Sequence, residues 1–323
     1  MKRILRYYPF VIIMLLLACA AVFAAAVVLG PDGIDTAARV LGGCGDEADR
    51  HILWSLRLPR AMLAAAVGAA LAVCGVVFQT VLGNPLAEPY VLGISSGASA
   101  GVAAAVLAGG SLLVRNAGAF AGGLCALAAA LFFGRGRGRE GLMLTGVMLG
   151  AFWGAVLVFL LSLESDAQLG AIFLWMMGSL GAAGQAEALI AMAVLVPGAG
   201  VLACWGHRLD LLQLGRDTAE SLGLPVKTLC IGLLSGASFL VSVSAALVGP
   251  IGFVGLAVPL LLRLLLGGSC RRLLPAALPA GALFLLLCDL MARLLPVSGE
   301  LPSGVMTAVI GAPLFIMMLR RMR

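Results

Sequence analysis

Charged residues are scarce in this chain: Asp, Glu, Lys and Arg make up 11% of its 323 residues, while 62% are hydrophobic. A soluble domain carries about a quarter charged residues. So little charge cannot clothe a water-exposed surface, and a bilayer must serve as much of the solvent. Histidine is nearly absent, with only His51 and His207, which leaves few general bases for catalysis. No G-x-x-x-x-G-K-[ST] phosphate loop occurs, so ATP-driven transport would need another chain to hydrolyse the ATP. The eight cysteines (19, 44, 74, 125, 204, 230, 270 and 288) show no C-x-x-C spacing, and six fall inside apolar runs. There Cys behaves as a small hydrophobe, and neither a metal site, a cofactor site nor a disulfide frame follows.

What the chain does have is glycine and long apolar runs. The 43 glycines suit close helix packing in lipid, where small residues let backbones approach. Gly146, Gly150 and Gly154 fall on one helical face and read as such a packing run. Apolar runs of spanning or near-spanning length occur at about 9–29, 61–82, 92–108, 117–134, 142–163, 186–206, 228–248, 253–267, 275–296 and 304–319. Each must be helical, because an open strand edge cannot survive in hydrocarbon. The eighth is short and needs help from Gly249 to Gly255. Lys2, Arg3 and Arg6 before the first run resemble a secretory signal, and Leu17-Ala18-Cys19 hints at a lipoprotein cleavage site. The run continues to Leu29, however, which is long enough to span, and it reads as an uncleaved first span.

The formal net charge is +6, but it is distributed in short clusters between apolar runs. Nucleic-acid binding needs a continuous basic face, so that reading is excluded. The clusters are Lys2, Arg3 and Arg6; Arg135, Arg137 and Arg139; Arg208, Arg216 and Lys227; Arg263, Arg271 and Arg272; and Arg320, Arg321 and Arg323. With ten spans they all fall on one side, which the positive-inside rule makes the cytoplasm, together with both termini. The opposite loops are more acidic, with Asp32, Asp35, Asp46, Glu47, Asp49, Glu164, Asp166 and Glu300. An odd span count would scatter the basic clusters to both sides. The expected fold is therefore all-α and integral to the inner membrane, a single domain over residues 1–323. Its longest connections, about 30–60 outside and 207–227 inside, leave no room for an enzyme domain.

Two rival functions can be weighed on the residues. Gly93-Ile94-Ser95-Ser96-Gly97 matches the G-x-S-x-G nucleophile elbow. A serine hydrolase needs a base beside its serine, and His51 and His207 fall in loops on opposite sides of the membrane. A secondary transporter needs no partner but usually carries ionisable residues within its spans. Asp289 is the clearest candidate, and Arg293 four residues on can pair with it on the same helix face.

From the second span onward, motifs follow in unbroken order. They are Leu56-Arg57-Leu58-Pro59-Arg60; Gly68 to Ala72, Gly75 and Gln79; Asn84-Pro85-Leu86-Ala87-Glu88-Pro89; and Leu92 to Ala98. Then come Leu174 to Ser179, Leu214-Gly215 to Leu222-Gly223, Gly249 to Leu256 with Pro259 and Arg263, Glu300-Leu301-Pro302, Gly304, and Gly311-Ala312-Pro313. This series resembles the FecCD-type permease family, the membrane subunits of importers for iron-siderophores, haem and cobalamin, over essentially the whole chain.

The resemblance implies the ten-helix type II ABC importer permease fold and no enzymatic activity of its own. It also implies a second permease subunit, expected to be an identical copy, two cytoplasmic ATPase subunits and an external or periplasmic substrate-binding protein. An iron-siderophore is the expected cargo, with haem or cobalamin as the alternative. Three sets of residues follow from it. The loop 207–227 resembles the family's ATPase-coupling helices, with Leu212, Leu214, Gly215, Arg216, Ala219, Glu220, Leu222 and Gly223. In its own sequence Leu211, Leu212, Leu214, Ala219 and Leu222 form a short apolar stripe beside Arg216, Asp217 and Glu220, which could otherwise lie in the headgroup layer. Arg57, Arg60 and Arg293 match positions that receive acidic residues of the binding protein, with internal pairing or snorkelling as the alternative. Gln79, Asn84, Pro85, Gly93, Gly97, Gly249, Pro250, Gly252 and Gly255 lie in or beside Gly- and Pro-rich breaks in both halves. Such breaks mark either a pathway or tight turns between short helices.

Overall fold

The computed structural model describes residues 2–30, 34–164, 166–181, 184–295 and 300–321. Asp32, Pro296 and Arg323, which belong to the acidic loops, the ninth apolar run and the last basic cluster, lie outside them. All ten apolar runs are helical. In chain order the helices are α1 (Lys2–Val28), α2 (Asp35–Leu41), α3 (Glu47–His51), α4 (Leu58–Leu82), α5 (Ile94–Leu107), α6 (Leu112–Phe133), α7 (Gly138–Leu161) and α8 (Asp166–Met176). They continue with α9 (Gln185–Ile190), α10 (Val196–Ala203), α11 (Gly206–Gln213), α12 (Arg216–Ser221), α13 (Val226–Val248), α14 (Val254–Leu266), α15 (Cys270–Leu294) and α16 (Ser303–Arg321). Wider π-helical turns at Ile52–Arg57 and Ala191–Leu195 fuse α3 to α4 and α9 to α10. Pro59 and Pro197 stand just after them, where a residue without an N–H does least harm.

Seven of these helices, counting the fused pairs as one each, are long and apolar enough to cross a membrane, and α5, α14 and α16 are shorter apolar helices. Contacts between distant residues sort the helix ends into two groups. Tyr8 in the first turns of α1 bonds the Arg272 carbonyl at the start of α15, while Ala26 and Val28 at its far end accept from Arg293 and Arg57. Helices α1 and α15 thus run in the same direction and α4 in the opposite one, as ten alternating spans require.

Helix α4 is the axis of the fold. It packs against α15, α13, α14, α10, α11 and α1, and 89% of its apolar window is buried, compared with 17% for α7. Such a helix can afford no large residue on the faces where its neighbours come closest. A Cβ on Gly68 would collide with the Gly281 carbonyl of α15, and one on Gly75 with the Gly255 carbonyl of α14. Helices α5 and α6 meet the same way, Gly97 and Gly101 against Gly122 and Gly118. The Gly146–Gly154 run is only partly used for packing. Gly146 abuts Val91 and Leu92, whereas nothing lies within 4 Å of a Cβ on Gly154.

Two spans are short. At about 1.5 Å per residue, α5 and α14 cover roughly 20 Å, well below the ~30 Å hydrocarbon thickness. The stretch Gly249 to Phe253 does not extend α14 as helix; it is irregular backbone, with Gly249 and Phe253 both at positive φ (73 and 66°). Irregular backbone inside a membrane protein survives only where protein satisfies its polar groups, and here the 83–93 loop does so.

Candidate functional site

Three places gather the residues singled out by sequence. The first is at mid-depth, where the two Gly- and Pro-rich breaks meet. Glu88 Oε1 accepts the Phe253 N–H at 2.8 Å, and Tyr90 Oη accepts the Ile251 N–H at 3.3 Å. Glu88 therefore places a carboxylate at the N-terminus of α14, where the helix dipole favours it, and holds Phe253 in its left-handed turn. Gln79 Nε2 reaches the Gly255 and Leu256 carbonyls at 3.5 and 3.4 Å. Asn84 Oδ1 accepts the Leu86 N–H, closing the turn that contains Pro85. Gly93, at φ 78°, starts α5 against Gly150 of α7. Gly249 and Gly178 lock together with Trp175 and Pro250, and Gly252 lies beside Glu88. The breaks are thus stitched to each other. Sequence reading missed Glu88 and Tyr90 as the stitches, although an acid between two prolines in an apolar region was a visible signal.

The second place is the basic-poor, outer end. Arg60 in the first turn of α4 donates from Nε and Nη2 to Asp289 at 3.0–3.2 Å and from Nη1 to Glu300 at 2.6 Å. Asp289, 0% exposed, also accepts from Ser303 Oγ at 2.8 Å. Arg293 approaches the same carboxylate at 3.2 Å, an ion-pair contact without hydrogen-bond alignment, and donates to the Ala26 carbonyl at 3.0 Å. Arg57 donates to the Val28 carbonyl at 2.8 Å. The three arginines are each 6–7% exposed. One buried carboxylate thereby ties α1, α4, α15 and α16 together. Arg60 and Arg293 share the Asp289 carboxylate, and Glu300, 53% exposed, is the cluster's member in contact with the outside.

The third place is the basic, inner end. Helices α11 and α12 lie across it, joined at Gly215, whose φ of 106° suits only glycine. The expected single apolar stripe is divided. Leu212 and Ala219 are buried against the spans, Leu211 is half-buried, and Leu214 and Leu222 point outward at 62 and 57% exposure. The division follows from the Gly215 turn, which breaks the helical period on which a stripe depends. Arg216 and Glu220 face each other at 3.6 Å on the exposed side, and Gly223, at φ 82°, ends α12. Asp210, not singled out from sequence, anchors the pair. It accepts from Ser269 Oγ and the Cys270 and Arg271 N–H groups, capping α15. Gln213 adds a bond to the Gly268 carbonyl at 3.1 Å.

Among the described residues no hydrogen bond joins Ser95 to a histidine. His51 ends α3 at the outer end and His207 begins α11 at the inner end, so the nucleophile-elbow pattern is only the start of α5.

A buried arginine–carboxylate knot outside, two stitched breaks at mid-depth and a pair of lateral helices inside agree with what known proteins show. The sequence profile of the FecCD transport family matches residues 12–321. The chain belongs to that family. It is 40% identical over 279 residues to the vitamin B12 import system permease protein BtuC of Citrobacter koseri, covering 84% of this chain and 83% of the relative. The same protein of Escherichia coli O9:H4 (strain HS) is also 40% identical, with 84% of each chain covered. A solved ABC transporter assigned to the metal-chelate type, in an inward-facing conformation, superposes with a TM-score of 0.87 at 30% identity, over 97% of this chain and 99% of that one. PsaBC from Streptococcus pneumoniae in complex with Fab shares the fold at a TM-score of 0.56 and 17% identity, over 81% and 90% of the two chains. As a FecCD member the chain is a multi-pass inner-membrane permease of an ABC importer with the type II fold. ATP hydrolysis falls to a separate subunit.

Proposed function

We propose that this permease carries a cobalamin-class corrinoid, delivered by an external binding protein and driven by a cytoplasmic ATPase. The observation that carries the reading is the 40% identity to BtuC of C. koseri and E. coli across 84% of the chain. The second reading, an iron-siderophore or related metal chelate, is favoured by the close superposition on the metal-chelate transporter. The functional unit is two copies of this chain with two ATPase subunits and one binding protein.

Two faces divide the work. Outside, Arg57, Arg60 and Arg293 seat acidic residues of the binding protein. An incoming carboxylate replaces Glu300 on Arg60, whose planar fork accepts either. Inside, the outward Leu214 and Leu222 with Arg216 and Glu220 seat in the ATPase, and Gly215 and Gly223 set the angle of α12. Leu212 and Ala219, buried against the spans, pass its movement to the membrane helices. Between the faces, the stitched breaks at Gln79, Asn84–Gly97 and Gly249–Gly255 form the joint about which the halves of each subunit shift.

Proteoliposomes containing the permease, its ATPase and its binding protein decide the cargo. ATP-dependent uptake of cyanocobalamin, without uptake of ferric hydroxamates, supports the corrinoid reading. Uptake of the ferric chelates alone overturns it in favour of the second.

A further inference from the structure

A cavity at the inner end adjoins the third of the places above and shares Arg216 with it. It has a volume of about 600 Å³ and opens at the inner end, between the last turns of α4 and α6, the α6–α7 turn, and the starts of α7, α12 and α13. Its wall has two chemistries. Val81, Leu82, Leu131, Leu142 and Leu234 make one part apolar, while Arg135, Arg139, Arg216 and Lys227 bring four cations to its rim. No acidic residue lines it. Among the described residues the side chains of Arg135, Arg139 and Lys227 have no ion pair or hydrogen-bond partner, and that of Arg216 has only the loose contact to Glu220 at 3.6 Å. The Arg139 guanidinium lies over Gly83 at the end of α4.

The helix ends contribute little net field. Helices α7, α13 and the short α12 begin at the cavity and α4 and α6 end there, so their dipoles largely oppose. The sign is set by the four side chains. Cations clustered without an acidic neighbour at the rim of an apolar recess attract an anion, and on the cytoplasmic side the anionic headgroups of the inner leaflet can supply one. Phe132 and Phe133 on the last turn of α6 and Ile231 on α13 are exposed beside it, a surface suited to acyl chains.

We infer that this cavity is a binding site for an anionic phospholipid of the inner leaflet, its phosphate held by Arg135, Arg139 and Lys227 and its glycerol and upper acyl chains by the leucine-lined wall. A free phosphate or a nucleotide would use the cations but leave the apolar wall wet. Because Arg216 belongs to both the cavity rim and α12, a lipid here also bears on the helix nearest the cytoplasm.

The test uses the full chain purified with its ATPase. Native mass spectrometry and lipid extraction should find phosphatidylglycerol or cardiolipin retained, and added phosphatidylglycerol should raise the unfolding temperature more than phosphatidylethanolamine does. Each cation near the surface is worth about fivefold in affinity. The triple change Arg135→Gln, Arg139→Gln, Lys227→Gln should therefore lower retention by about a hundredfold, and the charge-keeping double change Arg135→Lys, Arg139→Lys should restore most of it relative to the triple. Equal retention of zwitterionic lipid by the unaltered protein overturns the inference. So does undiminished retention in the triple variant, or protection by inorganic phosphate or ATP equal to that by phosphatidylglycerol. These readouts need neither cargo nor uptake.

Discussion

Arginines at the two ends of this protein lead opposite lives. At the outer end Arg60 and Arg293 are buried around Asp289 and bind helices from both ends of the chain into one knot. At the inner end Arg135, Arg139 and Arg216 stand around an open recess, with at most a loose partner. The residue type is the same; what differs is whether a carboxylate was provided within the fold. An arginine supplied with a partner is structural first, and its remaining valence is what an outside protein can use. An arginine left without one is available to whatever the membrane or the cytoplasm offers.

Cutting the knot should have the largest effect. Asp289→Asn leaves two guanidiniums around a neutral group in a buried site, and removing one partner of a buried pair costs about 3–5 kcal/mol. Thermal unfolding in mild detergent should show a large drop, and an unchanged midpoint would mean that the knot is not holding the outer end. Next in size is Gly75→Ala. Its methyl would drive α4 from α14 at the Gly255 carbonyl, a strain of about 1–3 kcal/mol, to be read in the same assay. Ala at Gly154, where there is room, should be nearly silent.

The inner end should respond in function instead of stability. Leu214→Ser with Leu222→Ser alters two outward side chains, so the unfolding midpoint should stay within a degree or two while co-purification of the ATPase falls and ATP hydrolysis loses its response to the binding protein. Smaller still is Glu300→Gln. It frees Arg60 from its exposed partner at a cost of about 1 kcal/mol or less, and should raise binding-protein affinity a few-fold at low salt, an effect that fades as salt is added. Weaker binding in this variant would show that Glu300 is not the group the binding protein replaces. Arg216→Ala loses only an exposed pair at 3.6 Å and should not move the midpoint measurably.

The regions differ as well in how far they could be read in advance. The inner lateral helices lie within one short stretch, so their leucines and glycines were visible together, although the Gly215 turn that splits Leu212 from Leu214 was not. The outer knot was half visible. Arg293 is one helical turn from Asp289, but Arg60 is 229 residues from it, and nothing local connects the two. Two non-spanning helices on the outer side, α2 and α8, and the extension of the second span through α3 also went unseen, since each is too short to give a periodic signal against its flanking loops.

By itself the sequence determined the solvent, the ten helical spans, the side on which the basic loops gather and the need for a separate ATPase. Those properties depend on composition and on runs of neighbouring residues, and hydrocarbon allows a long apolar run almost no choice but helix. Tertiary structure alone decided that α4 is the axis, that the break after α4 satisfies the break before α14 through Glu88, and which arginines have partners. The Glu88 stitch and the Arg60–Asp289 pair each bring groups more than a hundred and fifty residues apart within hydrogen-bond distance, and only the packed arrangement of helices sets those distances.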